Sequence, residues 1–226
     1  MHLVLFDIDG TLVLTGGAGM RAMNRACEDL VGHDDALNGV RLAGRTDWII
    51  LEEVLQRHGR TLDRGLMDDI RERYVAHLRE EIVLPGKGVK GLMPGIRALL
   101  DALDRREDVA LGLVTGNFAE GARIKLEHFD LWKYFPCVAF GDDSSDRNAL
   151  VPVATARARA RGVIDPVDVW VVGDTPHDVA CALVAAATPV GVATGGHSVD
   201  ELRDSGAGIV FNDLSDTDAF LALLGE

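Results

Sequence analysis

Asp7 and Asp9 stand two apart at the end of the apolar run Leu3 to Phe6, and Gly10 and Thr11 follow them. Side chains alternate along an extended chain, so residues two apart share a face. Two carboxylates placed this way can look into one pocket, one able to attack and the other to move a proton. A second polar turn, Thr115-Gly116-Asn117, follows the apolar run Val109 to Val114. A hydroxyl and the free amides of a helix start both donate hydrogen bonds toward an anion, which suits phosphate. The simpler use of the same turn is capping, with Asn117 as N-cap and Glu120 three residues on. A third turn, Gly173-Asp174, closes the run Val167 to Val172.

These turns need elements to hold them. Beside the three runs above, strands are expected at Phe135 to Phe140, Pro189 to Val192 and near Ile209. Helices are expected at Gly95 to Arg106, from the Thr115 turn to His128, and at Arg147 to Arg161, Pro176 to Ala187, Ser198 to Ser205 and from Ser215. Alternating strands and helices predict an α/β fold, a doubly wound parallel sheet covered on both faces. If the three loaded strands are neighbours, their turns converge on the crevice where such sheets bind ligands. The block from Met20 to Ile82 differs. It shows helical spacing at Arg45 to His58 and Leu66 to Ile82 and no convincing strand, which predicts an inserted helical cap. The expected division is residues 1–15 and 90–226 as the α/β core and 16–89 as the cap. The glycine-bearing stretches Val13 to Gly19 and Pro85 to Pro94 are expected to serve as hinges. The second contains a formal G-x-G-x-x-G at Gly86, Gly88 and Gly91, but no strand precedes it and a dinucleotide site is not expected.

At 226 residues the chain can bury one good-sized core with a small insertion. A net charge of -13 with no offsetting basic block argues against nucleic acid or an anionic membrane as partner, though not against a phosphorylated small molecule. The three cysteines, Cys27, Cys137 and Cys181, lack metal-ligand spacing and suit core packing as reduced thiols. With no basic region before Leu3 and no apolar stretch of spanning length, neither signal peptide nor anchor is expected, and the cytoplasm is the expected location.

The pattern Asp7-Ile8-Asp9-Gly10-Thr11-Leu12 resembles motif I of the haloacid dehalogenase superfamily, mostly phosphatases that work through an aspartyl phosphate. The resemblance makes Asp7 the nucleophile and Asp9 the general acid/base; dehalogenases proper lack the second acid. Thr115-Gly116-Asn117 resembles motif II, with Thr115 binding phosphate, and Gly10, Thr11, Gly116 and Asn117 are expected to complete the substrate-binding surface. Val171 to Asp178 resembles motif IV, whose acids help hold magnesium. Mg²⁺ takes hard oxygen ligands. Asp7 and Asp174 would supply carboxylates and Asp9 its backbone carbonyl. Asp178 fits a lesser metal role, because Thr175, Pro176 and Asp178 also form a regular helix start. In motif III the family's lysine is missing. Arg147 stands nearest its place, while Lys125, two turns into its helix, is expected to be a solvated rival. Arg157, Arg159 and Arg161 are expected to face water.

The cap's position between motifs I and II resembles the C1 type, and the whole chain looks most like the phosphoglycolate phosphatase group. In the cap, Gly44-Arg45-Thr46-Asp47 stands out, and Arg45 is either a substrate contact or a surface arginine at a helix entry. The implied activity is Mg²⁺-dependent hydrolysis of a small, phosphoglycolate-like phosphomonoester. The alternatives are a phosphosugar mutase with the same motifs, or a protein that only binds a phospho-ligand or a partner.

Overall fold

The structure, a computed structural model, describes residues 1–33, 35–163 and 168–225. Its centre is a six-stranded, all-parallel sheet in the order β5-β4-β1-β6-β7-β8. The strands are β1 (His2–Phe6), β4 (Val109–Val114), β5 (Cys137–Ala139), β6 (Asp168–Gly173), β7 (Thr188–Val192) and β8 (Ile209–Phe211). In β1, Val4 and Phe6 face a cluster built with Ile96, Leu99, Leu103 and Phe220, while Leu3 and Leu5 face another built with Leu150, Ala154, Cys181 and Ala182. Leu3 to Phe6 are therefore all buried, which is why they form a continuous apolar run. From β1 the chain builds outward through β4 and β5 on one side and β6, β7 and β8 on the other. The order thus reverses at β1, and a crevice opens beyond its carboxyl end.

Helices α4 (Ile96–Asp104), α5 (Ala119–His128), α6 (Leu150–Ala160), α7 (Pro176–Val184), α8 (Val199–Asp204) and α9 (Thr217–Leu223) cover the sheet. The helix expected from the Thr115 turn starts later, at Ala119 with Phe118 as N-cap, because Asn117 is engaged elsewhere. The helix expected at Arg147 opens as a single 3-10 turn, Arg147–Ala149, before α6. The start of the expected fourth strand, Val167, lies outside the described residues. Arg157 is exposed, as expected, and its guanidinium also binds the Asp143 carboxylate and the Val138 carbonyl, tying α6 to the loop after β5.

Between β1 and β4 lie α1 (Ala18–Val31), α2 (Asp47–Arg57) and α3 (Arg64–Glu81). Their apolar faces form one cluster that includes Ala22, Met23, Ile50, Leu55, Ile70 and Tyr74, and that also takes in Phe118 and Ile124 from the sheet side. The connectors expected to be free hinges are paired with each other: β2 (Val13–Thr15) runs antiparallel to β3 (Lys90–Leu92). Gly16 N–H donates to the Val89 carbonyl at 3.0 Å and Lys87 N–H to the Gly16 carbonyl at 3.1 Å. Three-residue strands show no periodicity, and partners more than seventy residues apart leave no local signal. Among the described residues, no helix is long and apolar enough to cross a membrane. The three cysteines are buried and unpaired.

Candidate active site

Because β4, β1 and β6 are adjacent, their three terminal turns meet. Asp7 N–H continues the ladder onto the Val172 carbonyl at 2.9 Å, and Thr115 N–H onto the Ala139 carbonyl at 3.2 Å, so both side chains leave the sheet at its edge. Beyond Asp7 the chain folds back, with the amides of Thr11, Leu12 and Val13 all donating to the Ile8 carbonyl. Gly10 takes φ +86° there, and a Cβ on it would lie 2.5 Å from Asp174 Oδ2, so this position excludes a side chain twice over.

Asp7, Asp174 and Asp178 are all buried and can bring one carboxylate oxygen each within 4.8 Å of one another. Arg147, also buried, joins them: its Nη2 lies 3.1 Å from Asp7 Oδ1 and is hydrogen-bonded to Asp178, and its Nη1 donates to the Gly44 carbonyl at 3.2 Å. Asp178 completes a capping box with Thr175, accepting from its amide at 3.1 Å and its hydroxyl at 2.7 Å. Its oxygens are thus already in use, whereas Asp174 accepts one bond, from Thr11 Oγ1 at 3.1 Å. Burial, then the repulsion of Asp178 and Asp7, pushes the Asp174 carboxyl up to about 8. Asp7 is raised to about 6, mainly by burial and then by Asp178 and Asp9, with Arg147 opposing. Burial works against the Arg147 charge, but Asp178 and Asp7 outweigh it.

Three buried carboxylates against one guanidinium leave two negative charges uncompensated when all are ionised. All the donors are hard oxygens, so a divalent cation fits this cluster in both charge and chemistry. A pH dependence follows. Both raised carboxyls hold protons more tightly folded than unfolded, so their contribution to stability declines as pH rises from the ordinary 3.8 through about 6 and about 8. In chelator the melting temperature should therefore fall between about pH 6 and about pH 9, and Asp174→Asn or added Mg²⁺ should flatten that fall. A melting temperature rising over this range in chelator would show that the cluster is not strained.

Asp9 sits in a separate clamp. Its Oδ2 accepts from Lys125 Nζ at 2.6 Å and from Asn117 Nδ2 at 2.9 Å; Lys125 also donates to Asn117 Oδ1 at 2.6 Å, and Asn117 Nδ2 to Thr115 Oγ1 at 2.7 Å. Lys125 is thus buried at the site and not a solvated helix lysine. The cause is geometric, since helix side chains lean toward the N-terminus and a lysine stem two turns in reaches back to the opening turn. Gly19 of α1 makes room, for a Cβ there would lie 3.2 Å from the ammonium.

The segment Gly44 to Asp47 lies across the crevice. Asp47 N–H donates to the Gly116 carbonyl at 2.8 Å, Asp47 Oδ2 accepts from Phe118 N–H at 2.8 Å, and Thr46 Oγ1 donates to the Ser145 carbonyl at 2.9 Å. A Cβ on Gly116 would lie 2.2 Å from the Arg45 carbonyl, so backbone packs on backbone here. Arg45 lines the cavity, but its guanidinium is bound to Glu53 at 2.6 Å and to the Arg41 carbonyl at 3.0 Å. The cavity measures about 590 Å³ and is lined by Asp7, Asp9, Thr115, Lys125, Arg147 and Asp174, among others.

Sequence reasoning passed over four contributors. Asp47, pushed up to about 7 by burial against the opposing pull of Lys125 and Phe118 N–H, stood only as part of a polar cluster. Thr194 donates to the Gly10 carbonyl at 2.6 Å, and Gly195 leaves room for Asp174, whose Oδ2 a Cβ there would meet at 1.7 Å. Thr194-Gly195-Gly196 follows β7 as a fourth polar strand-end turn, a signal of the kind used for the other three. Tyr74, on the cavity wall, reads from sequence only as a core position of α3.

A strand-end aspartate pair, a buried carboxylate cluster and a helical insertion over a parallel sheet define a class that comparison with known proteins makes definite. Residues 4–183 match the model of the haloacid dehalogenase-like hydrolases, and the chain belongs to that family. Within it the chain resembles the phosphoglycolate phosphatases. It is 32% identical over 222 residues to the phosphoglycolate phosphatase of Rhodospirillum rubrum, covering 94% of this chain and 87% of that protein. The protein described as probable phosphatase IndB of Dickeya dadantii is 28% identical over 95% of this chain and 90% of its own. The crystal structure of a hydrolase from Pseudomonas syringae superposes with a TM-score of 0.68 at 23% identity, over 100% and 99% of the two chains.

Proposed function

We propose that this chain is a Mg²⁺-dependent phosphatase that hydrolyses small phosphomonoesters through an aspartyl phosphate on Asp7. The observation that carries the reading is the meeting of Asp7, Asp9, Thr115, Arg147 and Asp174 at one cavity, delivered by adjacent strands and the loop after β5. Asp7 attacks phosphorus and the ester P–O bond breaks, while Asp9 gives its proton to the departing alkoxide. Asp9 then takes a proton from water, whose oxygen attacks phosphorus and frees Asp7 and inorganic phosphate. Thr115, Arg147 and the Gly116 amide hold the phosphoryl oxygens, and Gly10, Thr11 and Asn117 shape the floor around them. Asp7, Asp174 and the Asp9 carbonyl would hold magnesium, with Asp178 fixing Arg147 beside them; the ion would supply positive charge to the phosphoryl oxygens. Residues 16–89 act as the cap that screens the chemistry from water.

The test is phosphate release from a panel of phosphate esters with magnesium and with excess chelator. Phosphoglycolate, named by the relatives, is the first compound to try, and phosphosugars are included because turnover without phosphate release would mark a mutase. Silence across the panel with magnesium would leave only a binding role. The Lys125–Asn117 clamp makes a further expectation. Lys125→Met keeps bulk but frees Asp9, and misplacing a proton carrier by about 1 Å costs up to about 10²-fold. A kcat loss on the order of 10-fold to 10²-fold is expected from stopped assays on folded protein; a kcat equal to wild type would make Lys125 a packing residue only.

A further inference from the structure

The cavity has two unlike halves. Its floor carries the carboxylates and their partners. Its wall toward the helical insertion is made of Met20, Met23, Leu37, Leu42 and Ile50, with Val89 at the rim. Met23, Leu37 and Ile50 belong to the buried cluster of the helical block, so that cluster opens directly onto the cavity. Met20 and Val89, 53% and 70% exposed, extend the apolar surface to the mouth. It is the continuity of this apolar surface from the buried cluster to the mouth, not the exposure of two side chains, that marks a ligand groove.

What the wall lacks is equally specific. Four basic residues line the cavity: Arg45, Lys87, Lys125 and Arg147. Lys125 and Arg147 are committed to Asp9 and to Asp7 with Asp178, and Arg45 to Glu53. Lys87 lies exposed on the loop between α3 and β3. Asp47, on the same wall, adds no positive charge that could meet a second anion. The volume, about 590 Å³, falls in the range of pockets that enclose a whole small-molecule ligand, far more than a two-carbon acid needs.

Resting on the phosphatase reading above, we propose that the leaving group is an uncharged, hydrocarbon-rich alcohol. The substrates are then alkyl or aryl phosphomonoesters, not esters that carry a second anionic group. The phosphate meets the polar floor, and the alcohol lies against the methionine and leucine wall.

The test measures kcat/KM for ethyl, butyl and hexyl phosphate, phenyl phosphate, phosphoglycolate and acetyl phosphate with Mg²⁺. Each methylene moved from water to the wall should raise kcat/KM several-fold, giving about 10²-fold from ethyl to hexyl phosphate. Phosphoglycolate should fall at least about 10-fold below butyl phosphate, because Lys87, exposed at the mouth, pairs only weakly with a carboxylate in water and the other three lining cations are already paired. The double variant M20S/V89S, altered at two exposed positions, should cut the hexyl-to-ethyl ratio by about 10-fold. Lys87→Ala should keep the order of the series. A flat series, an unchanged ratio in the double variant, or phosphoglycolate matching butyl phosphate and losing that rank on Lys87→Ala would each overturn the proposal. If acetyl phosphate is still turned over in those cases, the phosphatase reading stands without it; if no ester or acyl phosphate is turned over, both fall.

Discussion

Asp7→Asn is expected to reduce phosphate release to background, a loss on the order of 10⁴-fold to 10⁶-fold, while the protein stays folded. An amide has the shape of the carboxylate but cannot attack phosphorus, and no neighbour takes its place: Asp174 and Asp178 are held by Thr11, Thr175 and Arg147. Folding should survive because the substitution removes one of three mutually repelling buried carboxylates, and the amide oxygen can still accept from Arg147. Without metal the variant should melt no lower than wild type at about pH 8. Steady-state assays with magnesium and thermal melts decide this together. Activity above a few per cent of wild type in a folded variant would remove Asp7 from the nucleophile's role.

Arg147→Ala comes next in size. The guanidinium is buried against Asp7 and Asp178, so in the proposed mechanism the attack of one anion on another would take place beside a fixed positive charge. Removing a preorganised charge-stabilising group of this kind costs roughly 10²-fold to 10³-fold in kcat. Arg147→Lys should recover part of that, since an ammonium restores the charge but not the planar fork that serves Asp7, Asp178 and the Gly44 carbonyl at once. The alanine variant should also depend more steeply on magnesium for its melting temperature, because three carboxylates lose their only paired cation among the described residues. A near-normal kcat for Arg147→Ala, with a collapse for Lys125→Met, would exchange the roles of the two residues.

The sheet was readable because its strands are buried on both faces, and uninterrupted apolar runs such as Val109–Val114 carry that burial openly. The helical block was readable for a related reason: Met67, Ile70, Tyr74 and Leu78 repeat at helical spacing and pack on one another's neighbours. Asp7, Asp9, Thr115 and Asp174 could be picked out by their place after such runs, though their chemical roles rest on resemblance. The Lys125 clamp could not be picked out by distance from the turn, because sequence separation says nothing of the direction in which a long side chain leans. The β2–β3 pairing left no trace either, being held by backbone hydrogen bonds between distant segments whose side chains have no period.

That ribbon has a consequence for editing the gene. Val13 faces Leu92 and Thr15 faces Lys90 across an antiparallel register, so the two crossings into and out of the helical block are in step with each other. A one-residue insertion or deletion in either crossing would turn its following residues to the opposite side of the ribbon, unless the other crossing changed to match. Chimeras that graft a foreign helical block onto this sheet should therefore be joined between Gly16 and Gly17 and between Gly86 and Lys87, beyond the last backbone bond of the stitched segment. Junctions placed within 13–15 or 90–92 would put the two halves of one ribbon under the control of different parents.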